Sequence, residues 1–260
     1  MIDRVYSRLK KVMLLRELRG TLHVIRSRVR YLVKPGNLGA EEAATSDPKS
    51  SYRSFYIEVE KEKMRRLRKL RGDGIAKNVV DARVADASGQ RWLEFLVDRG
   101  LKHSDRVLEY GCGSLRLGKS VIEFLESGHY VGLDITDFFY LAGIENYLGQ
   151  TLMETKKPLF GVIGSEEHGR IRRDFKFDVG FSTLALMHVP PAEIDEYFRN
   201  VLGLMHADSV FYFDFQPSLF VLKKNSLTWG VPFRLVRRAA WRSGGRLAHV
   251  HGNLFKLTVA

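Results

Sequence analysis

The sequence predicts an α/β fold: a seven-stranded, mostly parallel sheet with a closing antiparallel strand, preceded by a basic helical N-terminal extension. Three observations predict it. Apolar runs of strand length alternate with helical periodicity from Leu101 onward. The stretch Arg106–Gly118 reads as a buried strand, a glycine-pivoted turn at Gly111 and Gly113, and the opening of a helix. The charge is unevenly placed: residues 1–80 carry 20 Lys/Arg against 9 Asp/Glu, whereas 81–260 carry 22 against 21.

Taken in order, Ile2, Val5, Leu9, Val12, Met13 and Leu15 recur at roughly helical spacing, and Leu22, Ile25, Val29 and Leu32 repeat the stripe after Gly20. Arginines fall largely off both stripes, so residues 1–34 form a basic amphipathic segment. Residues 35–51, with Pro35, Gly36, Gly39 and Pro48, read as a linker. Residues 52–87 form a charged helical extension whose helix, Ile57–Arg71, stops at Gly72-Asp73-Gly74. The α/β domain then spans 88–260, opening on a helix over Gln90–Asp98 that Ser88 is placed to cap.

Strands are expected near Arg106–Tyr110, His129–Asp134, Leu159–Gly164, Phe177–Ser182, Ser209–Phe215, Leu247–His251 and Leu254–Val259. Helices are expected over Leu115–Glu126, Phe138–Leu148, Pro191–Met205 and Val231–Ser243. Residues Ser165–Asp174 are short and polar and receive no assignment. Only Gly252-Asn253 separates the last two strands, so the final strand should run antiparallel.

Composition narrows the function classes. The mean hydropathy of −0.18 and 45% hydrophobic content are those of a soluble globular chain. No run of about 18 apolar residues is present, and the N-terminus lacks a secretory signal pattern. The single cysteine, Cys112, excludes an internal disulfide and a thiolate-rich zinc site. A cytoplasmic location, peripheral to a membrane, fits these features. The basic N-terminal segment calls for an anionic membrane surface, a partner protein or a nucleic acid, or else a solvated helix face.

The central stretch carries the chemistry. Gly111 and Gly113 remove side chains where backbone must approach a ligand closely. Asp134 ends the next strand, 25 residues after Glu109, and a carboxylate there can accept hydrogen bonds from both hydroxyls of a ribose.

At these residues the chain resembles the class I S-adenosylmethionine-dependent methyltransferases, whose sheet is Rossmann-like with a closing antiparallel hairpin. Val107-Leu108-Glu109-Tyr110-Gly111-Cys112-Gly113 is similar to their first motif and Val131-Gly132-Leu133-Asp134 to their second. Phe177–Ser182 followed by Leu186-Met187-His188-Val189 resembles their fourth-strand region. The likeness covers about 88–260.

The resemblance implies S-adenosyl-L-methionine as cofactor, held by Glu109, Gly111, Gly113, Arg116, Asp134, Ser165 and Ser182, with no metal. Glu109 would meet the cofactor's ammonium, and Gly164-Ser165-Glu166 would form the adenine loop. Two departures stand out: the family's third glycine falls at Leu115, and Arg116 would face a carboxylate or an anionic substrate group. Leu115 also disfavours a dinucleotide, whose pyrophosphate needs close backbone approach there.

Methyl transfer is an in-line displacement that needs alignment, exclusion of water and, for acidic acceptors, a base. His188 is the leading base; the alternative is a structural histidine bonded to a loop carbonyl. Asp214 and Gln216 lie near the same rim, and Phe138, Phe139, Tyr140 and Trp229 could wall an apolar pocket or belong to the core. His249 and His251 alternate on a strand and should share one face.

The expected activity is methyl transfer to oxygen or nitrogen of a small-molecule, lipid-linked or glycan acceptor. An RNA-binding methyltransferase and a non-catalytic scaffold are the alternatives. Nucleic acid is the weaker of the partner classes, because the near-neutral balance of 81–260 offers no basic surface beside the target atom.

Overall fold

The computed structural model describes residues 54, 56–59, 62, 82–225 and 227–260. The expected amphipathic helices of 1–34, the linker 35–51 and the stop at Gly72–Gly74 lie outside the described residues. Residues 54, 56–59 and 62 are helical, within the span expected of the charged extension.

The first complete element, α1 (Ala82–Val97), leads to β1 (Val107–Tyr110), α2 (Gly118–Phe124) and β2 (Tyr130–Asp134). Then follow α3 (Asp137–Gly143), a wider π-type segment (Ile144–Leu148), α4 (Gln150–Lys156) and β3 (Leu159–Val162). The chain continues through α5 (Glu166–Asp174), β4 (Phe177–Ser182), α6 (Ile194–Gly203) and the long β5 (Met205–Asp214). A two-residue-per-strand hairpin, β6 (Leu222–Lys223) and β7 (Trp229–Gly230), precedes α7 (Phe233–Arg242), β8 (Gly245–His251) and β9 (Leu254–Val259).

The seven-stranded sheet has the order β3-β2-β1-β4-β5-β9-β8. Strands β1 to β5 pair in parallel, and β9 runs antiparallel to both β5 and β8, as the Gly252-Asn253 turn requires. Chain order reverses between β1 and β4, which opens a crevice at the carboxyl ends of those strands.

Both faces of the sheet are buried because successive strand residues point to opposite sides. Leu108, Phe211, Phe213 and Phe255 pack with α6 and α7 through Phe198 and Val236. Val107, Phe181 and Tyr212 face the other way, toward Leu96, Val121 and Ile122 of α1 and α2. Each fully buried Leu or Phe contributes about 1.5–3 kcal/mol, so these two layers carry most of the fold's stability.

Several boundaries differ from expectation for physical reasons. Ser88 does not cap α1: the helix starts at Ala82, within the Ala-rich run 82–87. A Cβ at its Gly89 would lie 2.6 Å from the Ser120 hydroxyl, so this glycine lets α1 and α2 cross closely. Helix α2 begins at Gly118, not Leu115, because the turn is still running at Leu115, whose φ is +64°. The expected Phe138–Leu148 helix is capped by Thr136, whose hydroxyl accepts the Phe138 N–H, and widens after Gly143.

The polar stretch after β3 is a helix, α5, with Ser165 as its cap and Arg172 and Arg173 in its last turn. It buries only His168 and Ile171, too narrow a stripe to give a clear period. His249 and His251 do not share a face. A bulge shifts the register so that His249 pairs with Phe255 and His251 with Leu254, which point to opposite sides. His249 packs on Phe255 and His251 on Phe95.

Candidate cofactor and acceptor site

The turn after β1 is stitched to the end of β2. The N–H groups of Gly111 and Cys112 both donate to the Leu133 carbonyl, at 2.7 and 3.0 Å, and the Gly113 N–H donates to Asp134 Oδ2 at 2.8 Å. Gly111, Gly113 and Leu115 all have positive φ, at +87°, +51° and +64°. Leu115 therefore takes the left-handed backbone that a third glycine would adopt. Its side chain is fully buried against α2, which offsets a conformational cost of about 1–2 kcal/mol.

The two glycines have different reasons. A Cβ on Gly111 would strike the Ala185 methyl at 2.6 Å, whereas a Cβ on Gly113 would meet nothing within 4 Å. Gly113 thus presents bare backbone to open space beside the Asp134 carboxylate, and a nucleoside fits that arrangement. Burial raises the Asp134 carboxyl to about 6, against the lowering effect of the Gly113, Thr136 and Ile135 N–H groups. Ligand hydroxyls donating to this carboxylate would favour its ionised form further.

Glu109 points beneath the turn. The Tyr130 hydroxyl donates to its Oε2, and a Cβ added at Gly118 would lie 2.6 Å from that same oxygen. Burial pushes the Glu109 carboxyl up to about 8, the Tyr130 hydrogen bond opposes this, and the Asp134 charge adds to it. Arg116 is exposed in the turn just before α2, and its charge lowers the Glu109 value.

Ser165 uses its hydroxyl to accept the His168 N–H at 3.2 Å. His168 returns to the same loop, its Nδ1 accepting the Gly164 N–H at 3.0 Å. Ser182 is wholly buried behind Gly111, with its hydroxyl beside that of Tyr197. Of the expected cofactor residues, the structure joins Gly113 to Asp134 directly and Gly111 to the adjacent Leu133, sets Glu109 below them and Ser182 behind them, places Ser165 on the neighbouring loop and leaves Arg116 exposed.

Sequence reasoning missed three supports. Gly118 leaves room for the Tyr130–Glu109 pair, Gly143 lets α3 press onto the turn, and Tyr130 holds Glu109. A Cβ on Gly143 would lie 2.5 Å from the Ser114 carbonyl oxygen. The sequence carries no signal for them, because each role is set by a contact and not by a pattern.

On the acceptor side, His188 ends a short helical turn, Leu186–His188, after β4. Its Nδ1 lies 2.7 Å from the Leu227 carbonyl, and its ring meets that of Tyr56 at 5.3 Å. A carbonyl can only accept, so Nδ1 carries the proton and a neutral ring keeps its lone pair on Nε2. Asp214 accepts the Leu184 N–H at 2.6 Å and fixes that left-handed residue, and burial raises its carboxyl. Gln216 contacts the Met187 sulfur and accepts from Lys224.

Tyr140 is core, stacked on Phe160, whereas Phe138, Phe139 and Trp229 are half-buried. Among the described residues no group of three His, Cys, Asp or Glu could hold a metal, and no helix is long and apolar enough to cross a membrane.

No protein-family model matches the sequence, and no curated protein matches it. Solved structures do resemble it. Magnesium protoporphyrin IX methyltransferase (ChlM) from Synechocystis PCC 6803 with bound SAM superimposes with a TM-score of 0.57 at 16% identity, covering 84% of this chain and 100% of that one. The same enzyme with bound SAH gives 0.56 at 16% identity, over 82% and 100% of the two chains. The glycine turn, the acid-terminated second strand and the closing antiparallel strand thus belong to a chain with the fold of the class I S-adenosylmethionine-dependent methyltransferases.

Proposed function

We propose that the protein is an S-adenosylmethionine-dependent methyltransferase acting on oxygen or nitrogen of a small-molecule, lipid-linked or glycan acceptor. The observation that carries this reading is the Gly113–Asp134 pairing, which sets a hydrogen-bonding carboxylate beside bare backbone and open space. Asp134 would hold the ribose hydroxyls, the Gly111–Gly113 backbone would lie along the cofactor, and the Gly164-Ser165 loop would meet its base. When bound, S-adenosylmethionine would supply an electrophilic methyl group on a sulfonium.

The chain's own residues align the acceptor and manage its proton. Leu227 fixes the His188 tautomer through Nδ1, which puts the lone pair that would take a proton from an acceptor hydroxyl or amine, as its bond to carbon forms, on Nε2. Tyr56 packs its ring against one side of the imidazole, at 5.3 Å between centroids. Asp214 acts at the rim by holding Leu184, whose N–H it accepts.

The test is transfer of labelled methyl from S-adenosylmethionine into fractionated lipid, glycan and small-molecule extracts. Label in one fraction, lost with His188→Asn, supports the reading. Cofactor binding without label in any fraction would oppose catalysis and favour a scaffold role.

A further inference from the structure

The near-neutral balance of residues 81–260 hides a division. All 21 acidic residues of that span lie at or before Asp214, and residues 215–260 contain eight Lys/Arg and no Asp or Glu. This acid-free segment carries two exposed features that the candidate site does not use.

The first is the loop entering the β6–β7 hairpin. Leu219, Phe220, Val221 and Leu222 are consecutive and all exposed, Phe220 by 73%. Lys223 and Lys224 follow directly, with the Lys223 ammonium over the Trp229 ring at 5.4 Å. Four large apolar side chains exposed in a row form the contiguous kind of patch that marks a contact surface.

The second feature is the outer face of α7. Arg234, Arg237, Arg238 and Trp241 follow helical spacing and are all exposed, Trp241 by 72%. Val236, Ala239 and Ala240 bury the opposite face. Only Val231-Pro232 separates the hairpin from this helix.

We infer that the loop entering the hairpin, Leu219–Leu222, and the outer face of α7 dock on an anionic lipid bilayer. The apolar loop suits the acyl boundary, the Trp241 indole the interface, and the arginines the lipid phosphates. Residues 215–260 themselves bring no Asp or Glu to such contact, and the acid that reaches α7 from α6, Asp195, is paired with Arg242 at 3.5 Å. Nucleic acid would satisfy the arginines, but Leu219–Leu222 would gain no phosphate contact from it. A second copy meeting the same face across a two-fold axis would bring like charges together.

The hairpin that this loop enters also touches the candidate site, because its Leu227 carbonyl receives the His188 Nδ1–H. The inference stands without the methyl-transfer reading; where both hold, the acceptor is drawn from the bilayer.

The test uses full-length chain carrying Phe220→Cys labelled with an environment-sensitive fluorophore; Cys112 is buried and leaves residue 220 as the reactive thiol. The label should shift to the blue, and be quenched by brominated acyl chains, with vesicles containing phosphatidylglycerol but not with phosphatidylcholine alone. In the triple variant R234A/R237A/R238A, partition into those vesicles should fall on the order of a hundredfold, with thermal unfolding unchanged.

Any of four results would overturn the inference: vesicle binding with the label still in water, an equal shift with phosphatidylcholine, a shift with RNA but not vesicles, or a shift that grows with protein concentration alone. The third would assign the face to nucleic acid and the fourth to a second copy.

Discussion

Glu109→Gln should change how stability depends on pH, and the structure sets the size of the effect. The Glu109 carboxyl sits at about 8, against an ordinary value of 4.5, because burial penalises its charge. A folded-state value above the unfolded one means that the fold binds the proton more tightly. The stability this provides is complete below about pH 4.5 and is lost as pH rises to about 8. The rise from 4.5 to about 8 corresponds to about 5 kcal/mol across that window, with about 3 kcal/mol already lost at pH 7.

Glutamine is neutral throughout and can still accept the Tyr130 hydroxyl. Urea unfolding at pH 5, 7 and 9 measures the difference. The variant's advantage over wild type should be near zero or negative at pH 5 and grow to several kcal/mol at pH 9. Parallel profiles for the two proteins would refute the reasoning, since they would mean that Glu109 does not titrate in a buried, neutral-favouring site.

Other outcomes follow from the same turn. Leu115→Ala keeps the strained backbone and loses the buried side chain, whereas Leu115→Gly loses both; the glycine variant should be the more stable by about 1 kcal/mol in chemical denaturation. Gly118→Ala should cost about 2–3 kcal/mol by forcing the Tyr130–Glu109 pair apart. Adding Tyr130→Phe, which removes the hydroxyl in the way, should restore part of that loss. His188→Asn should lower the rate of methyl transfer by about 10²–10⁴-fold while calorimetry finds S-adenosylmethionine binding unchanged.

The architecture was legible because strands buried on both faces leave apolar runs, and because Gly111, Gly113 and Asp134 stand at fixed places on it. What escaped notice were features set by contact and not by pattern. Gly118 and Gly143 are ordinary residues in the sequence; only the packed structure puts Glu109 and Ser114 where their side chains would be. Leu115 reads as a departure from a three-glycine turn, yet its backbone makes the same turn.

The shared face expected of His249 and His251 failed because one bulge inverts the alternation, which a period of two cannot anticipate. Helix α5 was unassigned because it buries two residues in nine. The β6–β7 hairpin has two residues per strand, below any periodic signal. The basic face near the C-terminus was hidden by averaging its charge with the acidic strands and helices before it.

The account rests most heavily on Asp134 beside Gly113. Titration calorimetry of the wild type and of Asp134→Ala with S-adenosylmethionine tests it most directly. The wild type should bind with one site per chain, and Asp134→Ala should bind at least about tenfold more weakly, in line with the loss of charge-assisted hydrogen bonds to ribose. No binding by the wild type, or equal binding by both, would contradict the assignment of this turn as the cofactor site.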